Sequence, residues 1–129
     1  MAGNAEVRVD KIKNRMYITI GGFFRKGDVP GAMKKLDIAL AEVKPGFDTV
    51  TDLSKFVPGS PGASEALSKG GALVKEKGRR RGVRITGGVM TGLMQFQRML
   101  KGVFDEDNTR YAKSVAEADA ILDNWTDGA

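Results

Sequence analysis

Short segments of alternating polarity take turns along this chain with segments whose apolar residues recur every three or four positions. This succession limits the possible folds more than any other feature, because a period of two marks a half-buried strand and a period near 3.6 an amphipathic helix. Residues 7–10 and 15–20 alternate, with Met16, Ile18 and Ile20 expected to face a core and Arg15, Tyr17 and Thr19 to face away. Lys13 and Asn14 lie between the two runs where a tight turn belongs, which predicts a hairpin. Glycines from Gly21 to Gly27 break the second strand. Asp28 is placed to cap the next helix, with Pro30 tolerated in its first turn. Val29, Met33, Leu36, Leu40 and Val43 form that helix's apolar stripe, and Lys44, Pro45 and Gly46 end it.

The pattern then repeats. Residues 47–53 predict a strand, and residues 54–63 a loop containing Pro58 and Pro61. A helix follows through Ala66, Leu67, Gly70, Leu73 and Val74. Ser60 is placed to cap it, with Pro61 at the first helical position and Glu65 in the first turn. Gly70 and Gly71 inside a helix each cost about 1 kcal/mol relative to alanine, so a neighbouring element is expected to press on that turn. Residues 82–88 predict another strand, with Val83 and Ile85 inward and Arg84 and Thr86 outward. A helix over residues 89–101 follows, with Val89, Leu93, Phe96 and Leu100 in its seam and Met90 and Met94 beside it. Residues 109–113 predict a short edge strand. A final helix is capped by Ser114 with Glu117 three residues on, and Ala118, Ile121, Leu122 and Trp125 form its buried face.

Strands alternating with helices imply an α/β fold with a mostly parallel sheet following the N-terminal hairpin. Strands buried on both faces would be continuous apolar runs, and these alternate instead. Helices are therefore expected mainly on one face. The other face is expected to be partly open and to carry Arg8, Arg15, Tyr17 and Arg84, with Thr19 and Thr86 as further members. The 129 residues fit one domain spanning 1–129.

Composition narrows the chemistry. There is no cysteine and no histidine, so disulfides, thiol catalysis and the usual zinc ligands and near-neutral bases are excluded, and no metal or cofactor is expected. The run Asp105, Glu106, Asp107, Asn108 lacks the spacing and glycine of a calcium loop and reads as a solvated turn. No apolar run is long enough to span a membrane, and no signal-peptide pattern opens the chain, so a cytoplasmic protein is expected. Seven cations between Lys69 and Arg84 are opposed only by Glu76, which exceeds the net +5 of the whole chain and leaves the remainder close to neutral. No aromatic residue is interleaved in the basic run from Lys75 to Arg84, so it lacks a platform for stacking bases, and nucleic acid is not the expected partner.

The order of elements, with Asp52, Leu53 and Ser54 closing the strand before a serine-capped helix, resembles the STAS family, the sulfate transporter and anti-sigma factor antagonist domains. The ending is similar too: an aromatic-bearing strand at Tyr111, then a helix closing on Leu122 and Trp125. The resemblance implies a regulatory domain without catalytic activity that binds a protein partner, a kinase or anti-sigma-type regulator, and that is switched by phosphorylation of a serine at the start of that helix. Ser60 is the nearest match by position and Ser64 the next, although the aspartate that the family places directly before its phospho-acceptor is absent here.

Asp52 stands at the carboxyl edge of its strand, where open α/β sheets bind ligands. Its alternative role is to fix the loop by accepting amide hydrogens. Asp52, Ser54 and Phe56 form the expected ligand or partner loop, and Met90, Met94 and Phe96 an adjoining partner surface. Phe23 and Phe24 either join that surface or cover the core edge. A second class of function is a carrier for a small molecule or lipid, using apolar space between the helices and the strand ends. The exposed sheet face and edge strand are compatible with a homodimer.

Overall fold

A computed structural model describes residues 3–56, 62–85 and 108–126. The hairpin is β1 (Asn4–Asp10) and β2 (Arg15–Gly21), paired antiparallel with Val7 opposite Ile18 and Val9 opposite Met16. Its turn is held by Asp10, whose Oδ1 accepts the N–H groups of Ile12 and Lys13. Asn14 adopts the left-handed conformation at φ 53°, which asparagine tolerates better than most residues. α1 (Val29–Leu40) leads to β3 (Asp48–Asp52), α2 (Ala63–Lys77) to β4 (Arg81–Ile85), and β5 (Thr109–Ala112) to α3 (Val115–Asp123). The sheet is mixed and five-stranded in the order β1-β2-β3-β4-β5, and every pairing after the hairpin is parallel.

Helix ends follow local chemistry. Ser114 caps α3 as expected, its hydroxyl accepting the Glu117 N–H at 3.1 Å. Asp28 precedes α1, but its carboxylate turns back to accept the Arg25 N–H at 2.9 Å and closes a 3-10 turn. α2 begins later than the sequence predicts. Its N-cap is Gly62, with no side-chain cap, so the capping role expected of Ser60 falls to a glycine whose own N–H donates to Phe24 O at 3.0 Å. Ser60 itself, like Met90, Met94, Phe96 and the helix expected over residues 89–101, lies outside the described residues. At its other end α2 closes on Gly78, left-handed at φ 103°.

The alternation of each strand sorts its side chains onto two faces, and both faces carry helices. Met16 and Ile18 of β2 pack with Leu36, Ala39 and Leu40 of α1 and with Leu73 and Val74 of α2, and Ile20 packs with Val29 of α1 and Ala66 of α2. Tyr17, Val50, Val83 and Ile85 point the other way, against Ala118 and Leu122 of α3. The face expected to be partly open is therefore covered by α3, which buries Arg15 and Tyr17, while Arg8 stays exposed with its guanidinium 3.8 Å from the centre of the Tyr17 ring. In β2 the predicted alternation survives and its polar side is also interior; in β4 the two faces are exchanged, because the register sets Val83 and Ile85 with Tyr17 against α3 and Arg84 beside Thr51 on the other face.

Candidate functional site

The carboxyl ends of the parallel strands meet two loops that are stitched together through their backbones. Gly22 N–H donates to Lys55 O at 2.8 Å, Gly22 and Phe56 form a bridge, and Gly62 N–H reaches Phe24 O. A Cβ added at Gly62 would collide with the Arg25 carbonyl, so only glycine allows this approach. Asp52 accepts the Ser54 N–H at 2.9 Å, the loop-fixing role that was its alternative. Phe56, expected in a ligand or partner loop, is 5% exposed and packs with Phe24, Val29, Leu53 and Ala66. Its ring belongs to the core because the Gly22 bridge turns it inward. Of the two neighbouring phenylalanines, Phe24 is buried and Phe23 is 41% exposed.

Behind this plug, between the sheet and the two helices α1 and α2, lies an apolar cleft. Its empty space is about 620 Å³, counting the part open to solvent. Ala5, Val7, Ile18 and Ile20 of the hairpin, with Thr49 and Thr51 of β3, form its floor. Met33 and Leu36 line it from α1, and Ala66, Gly70, Gly71 and Val74 from α2. At the glycine turn the neighbouring element expected from the sequence is α1, reached through its side chains. A Cβ at Gly70 would meet only the side-chain tips of Leu36 and Met33, at 3.5 and 3.6 Å, which is ordinary contact. At Gly70, among the described residues, α1 side-chain ends and no backbone atom lie where a side chain would begin. Among the described residues no charged side chain lines the cleft, and the two threonines are the hydroxyl-bearing ones.

At the opposite edge of the sheet, and on the other face, the charges pair with one another. Arg15, Asp48 and Arg81 stand side by side on β2, β3 and β4. Asp48, 3% exposed, receives Arg81 Nη2 at 3.0 Å and Arg80 Nη2 at 3.4 Å. Arg15 donates to Asp119 at 2.8 Å and to Asp123 at 2.9 Å, both on α3, and Tyr17 donates its hydroxyl to Asp119 at 2.6 Å. The Arg15 guanidinium, helped by Lys13, holds the Asp123 carboxyl below its ordinary range. Burial, together with the bond to Asp119, pushes the Tyr17 phenol up and keeps it protonated. Arg110 and Arg81 both lie over Trp125, 3.9 and 5.3 Å from the ring centre. Arg79 donates to Thr109 Oγ1 at 3.1 Å, and Arg84 to the Tyr111 hydroxyl at 3.2 Å. The arginines of the basic run therefore brace the fold, and Arg81, one residue before the predicted strand, begins β4.

The sequence thus located the carboxyl-edge loop and anticipated apolar space between the helices and the strand ends, but not the residues that line it. A signal for it was present, since Thr49 and Thr51 alternate in a strand bounded by Phe47 and Leu53 and the helix that follows carries two glycines. Among the described residues no group of three or more carboxylates stands close enough to hold a metal ion, and no helix is long and apolar enough to cross a membrane. Compared with protein-family models, with curated proteins and with solved structures, the chain matches none.

Proposed function

We propose that this chain is a non-catalytic binding domain that holds a small, mainly hydrocarbon molecule between α1, α2 and the sheet. The observation that carries this reading is the cleft. Pockets for small molecules are walled mostly by apolar groups and contain few polar ones, and the described lining of the cleft has that character. Its setting also favours binding over chemistry, because the described lining has no carboxylate, amine or imidazole to move a proton. Glycines at a turn of α2 that faces the space, at a cost to the helix, are consistent with room kept for an occupant. The neutral dye N-phenyl-1-naphthylamine, whose fluorescence rises in apolar surroundings, tests the reading. Saturable binding to the wild-type chain, lost in Gly70→Leu while the circular dichroism is unchanged, is the expected result. Equal binding to both proteins, or none to either, would overturn it.

A second reading comes from the stitched loops. They hold exposed Phe23 beside the exposed cations Arg25, Lys26 and Lys55, a rigid surface of mixed character suited to a protein partner. With the STAS-like order of the elements, this supports a regulatory interaction domain whose partner is a kinase or anti-sigma-type regulator and whose switch is Ser60 or Ser64. Mass spectrometry of the protein from its own cells tests the switch; phosphate on Ser60 or Ser64 supports it, and its absence under every growth condition rules it out.

A further inference from the structure

The outer side of β1 presents backbone groups in a row. The sheet runs β1-β2-β3-β4-β5, so among the described residues no strand pairs with that side. Which groups point there follows from β2. At one end Asn14 O accepts the Asp48 N–H, and at the other Gly22 N–H donates to Lys55 O, both on the β3 side. Alternation then sends the backbone groups of Met16, Ile18 and Ile20 toward β3 and those of Arg15, Tyr17, Thr19 and Gly21 toward β1. Their partners on β1 are Asp10, Arg8, Glu6 and Asn4, which leaves the N–H and C=O groups of Ala5, Val7 and Val9 facing outward. Lys35 of α1 marks the same edge, because its Nζ reaches round to Ala5 O and to Glu6 Oε1, each at 2.9 Å.

We propose that the β1 edge pairs with β1 of a second copy of this chain, antiparallel about a two-fold axis at Val7, so that one sheet continues through both. Charge selects the partner and the register together. Glu6 and Arg8 are exposed and share one face of the strand. With Val7 facing Val7 of the second copy, Glu6 of each chain stands opposite Arg8 of the other, and Ala5 opposite Val9. An axis at Glu6 would set Glu6 against Glu6. An axis at Arg8 would set Arg8 against Arg8 and Glu6 against Asp10, and like charges directly opposite are destabilising. The present contacts of both side chains allow the pairing. Lys35 takes one oxygen of Glu6, and the Arg8 guanidinium, stacked on Tyr17, keeps its in-plane N–H groups for a carboxylate. Ala5 O can accept an incoming N–H beside Lys35, since a carbonyl has two lone pairs. α1 adds an independent observation. Lys35 and Ile38, with Glu42 just beyond the helix, lie on the side that borders the edge, Lys35 bound to β1 and Glu42 3.9 Å from Lys11. Ile38 between them is 60% exposed, and a second copy on β1 brings its own α1 alongside, on the same face of the sheet, to cover it. The proposal does not depend on what the cleft holds.

Sedimentation equilibrium over a wide range of protein concentration tests it on wild type, Glu6→Arg, Arg8→Glu and the chain carrying both exchanges. Wild type is expected to pass reversibly from monomer to dimer at micromolar concentration, as suits an interface built on one strand and one helix side. Each single exchange sets like charges opposite each other at both symmetric positions and is expected to weaken the dimer about tenfold or more. The double exchange restores opposite charges and, with them, the dimer. An equimolar mixture of the two single variants does the same, forming a heterodimer from chains that pair poorly with themselves. Melting curves show that each chain is folded. Recovery by either route supports the edge pairing. A wild-type chain that stays monomeric at every concentration overturns it. A dimer that the single exchanges leave unchanged, or that neither the double exchange nor the mixture restores, lies on another surface and overturns it as well.

Discussion

Beneath α3 the sheet meets its helix through charge as well as hydrocarbon. Arg15, Tyr17, Asp119 and Asp123 are joined by bonds of 2.6 to 2.9 Å, and Asp48 holds two arginines beside them. Beneath α1 and α2 the same sheet meets its helices almost wholly through hydrocarbon and leaves a cleft. The difference follows from which side of each alternating strand supplies the residues. It teaches that the tolerant surface here is the apolar one. A buried ionic network loses heavily when one member is removed, because the remaining charge stays out of water. A wall that already borders empty space can accept an added methyl group.

The largest test of that contrast is Asp48→Ala. It leaves Arg81, 9% exposed, without its carboxylate, and a loss of about 3–5 kcal/mol is expected from breaking a buried pair. Urea denaturation measures it. A loss below about 1 kcal/mol, the range of surface pairs, would mean that the charged face is no less tolerant than the apolar one.

Gly62→Ala probes the plug that closes the cleft. Its Cβ would meet the Arg25 carbonyl and the Lys26 amide, backbone atoms that can give way only if the two loops separate. A destabilisation of about 1–3 kcal/mol is expected, as for overpacking elsewhere, with a lower melting temperature as the readout. An unchanged melting temperature would show that the loops are not clamped.

Acid should release α3 before it disturbs the cleft. Because Asp123 has its folded-state pKa depressed by Arg15, its contribution is fully present above the unfolded carboxylate value of about 4 and is lost as pH falls through the depressed one. Trp125, the only tryptophan, lies just beyond α3 between Arg81 and Arg110, so its emission reports the detachment. A red shift at a pH where bound N-phenyl-1-naphthylamine still fluoresces is expected, and Asp123→Asn should flatten the transition. Coincident loss of both signals would show that the two faces unfold as one unit.

How far the sequence carries this picture depends on the kind of information needed. Period and caps are local, so the hairpin, the parallel order and the Ser114 cap were legible. Position across the sheet is not local. That Arg15, Asp48 and Arg81 stand in one row depends on strand register, and that Asp119 and Asp123 lie above Arg15 depends on which face α3 covers. Alternation in β2 correctly separated Arg15 and Tyr17 from Met16 and Ile18, but polarity alone implied exposure for residues that the network buries. For the candidate site, Asp52 was legible as a turn residue. Phe56 was not, because a single bridge to Gly22 decides where its ring goes.

The smallest effect expected is also the one of opposite sign. Gly70→Ala adds a methyl group to the turn of α2 that faces the cleft, 3.5 Å from Leu36 Cδ2 and 3.6 Å from Met33 Cε. Both are flexible side-chain ends, so the added group needs no backbone movement. Alanine also lifts the helix penalty of glycine, so a gain approaching about 1 kcal/mol is expected, measured as a higher urea midpoint. The stabilised protein should bind N-phenyl-1-naphthylamine more weakly than wild type, since the methyl group occupies part of the cleft. A gain in stability with weaker binding would identify Gly70 as a position kept small for its occupant. A loss of stability would mean that α1 and α2 are in closer contact than these distances allow, and the contrast between the two faces would narrow.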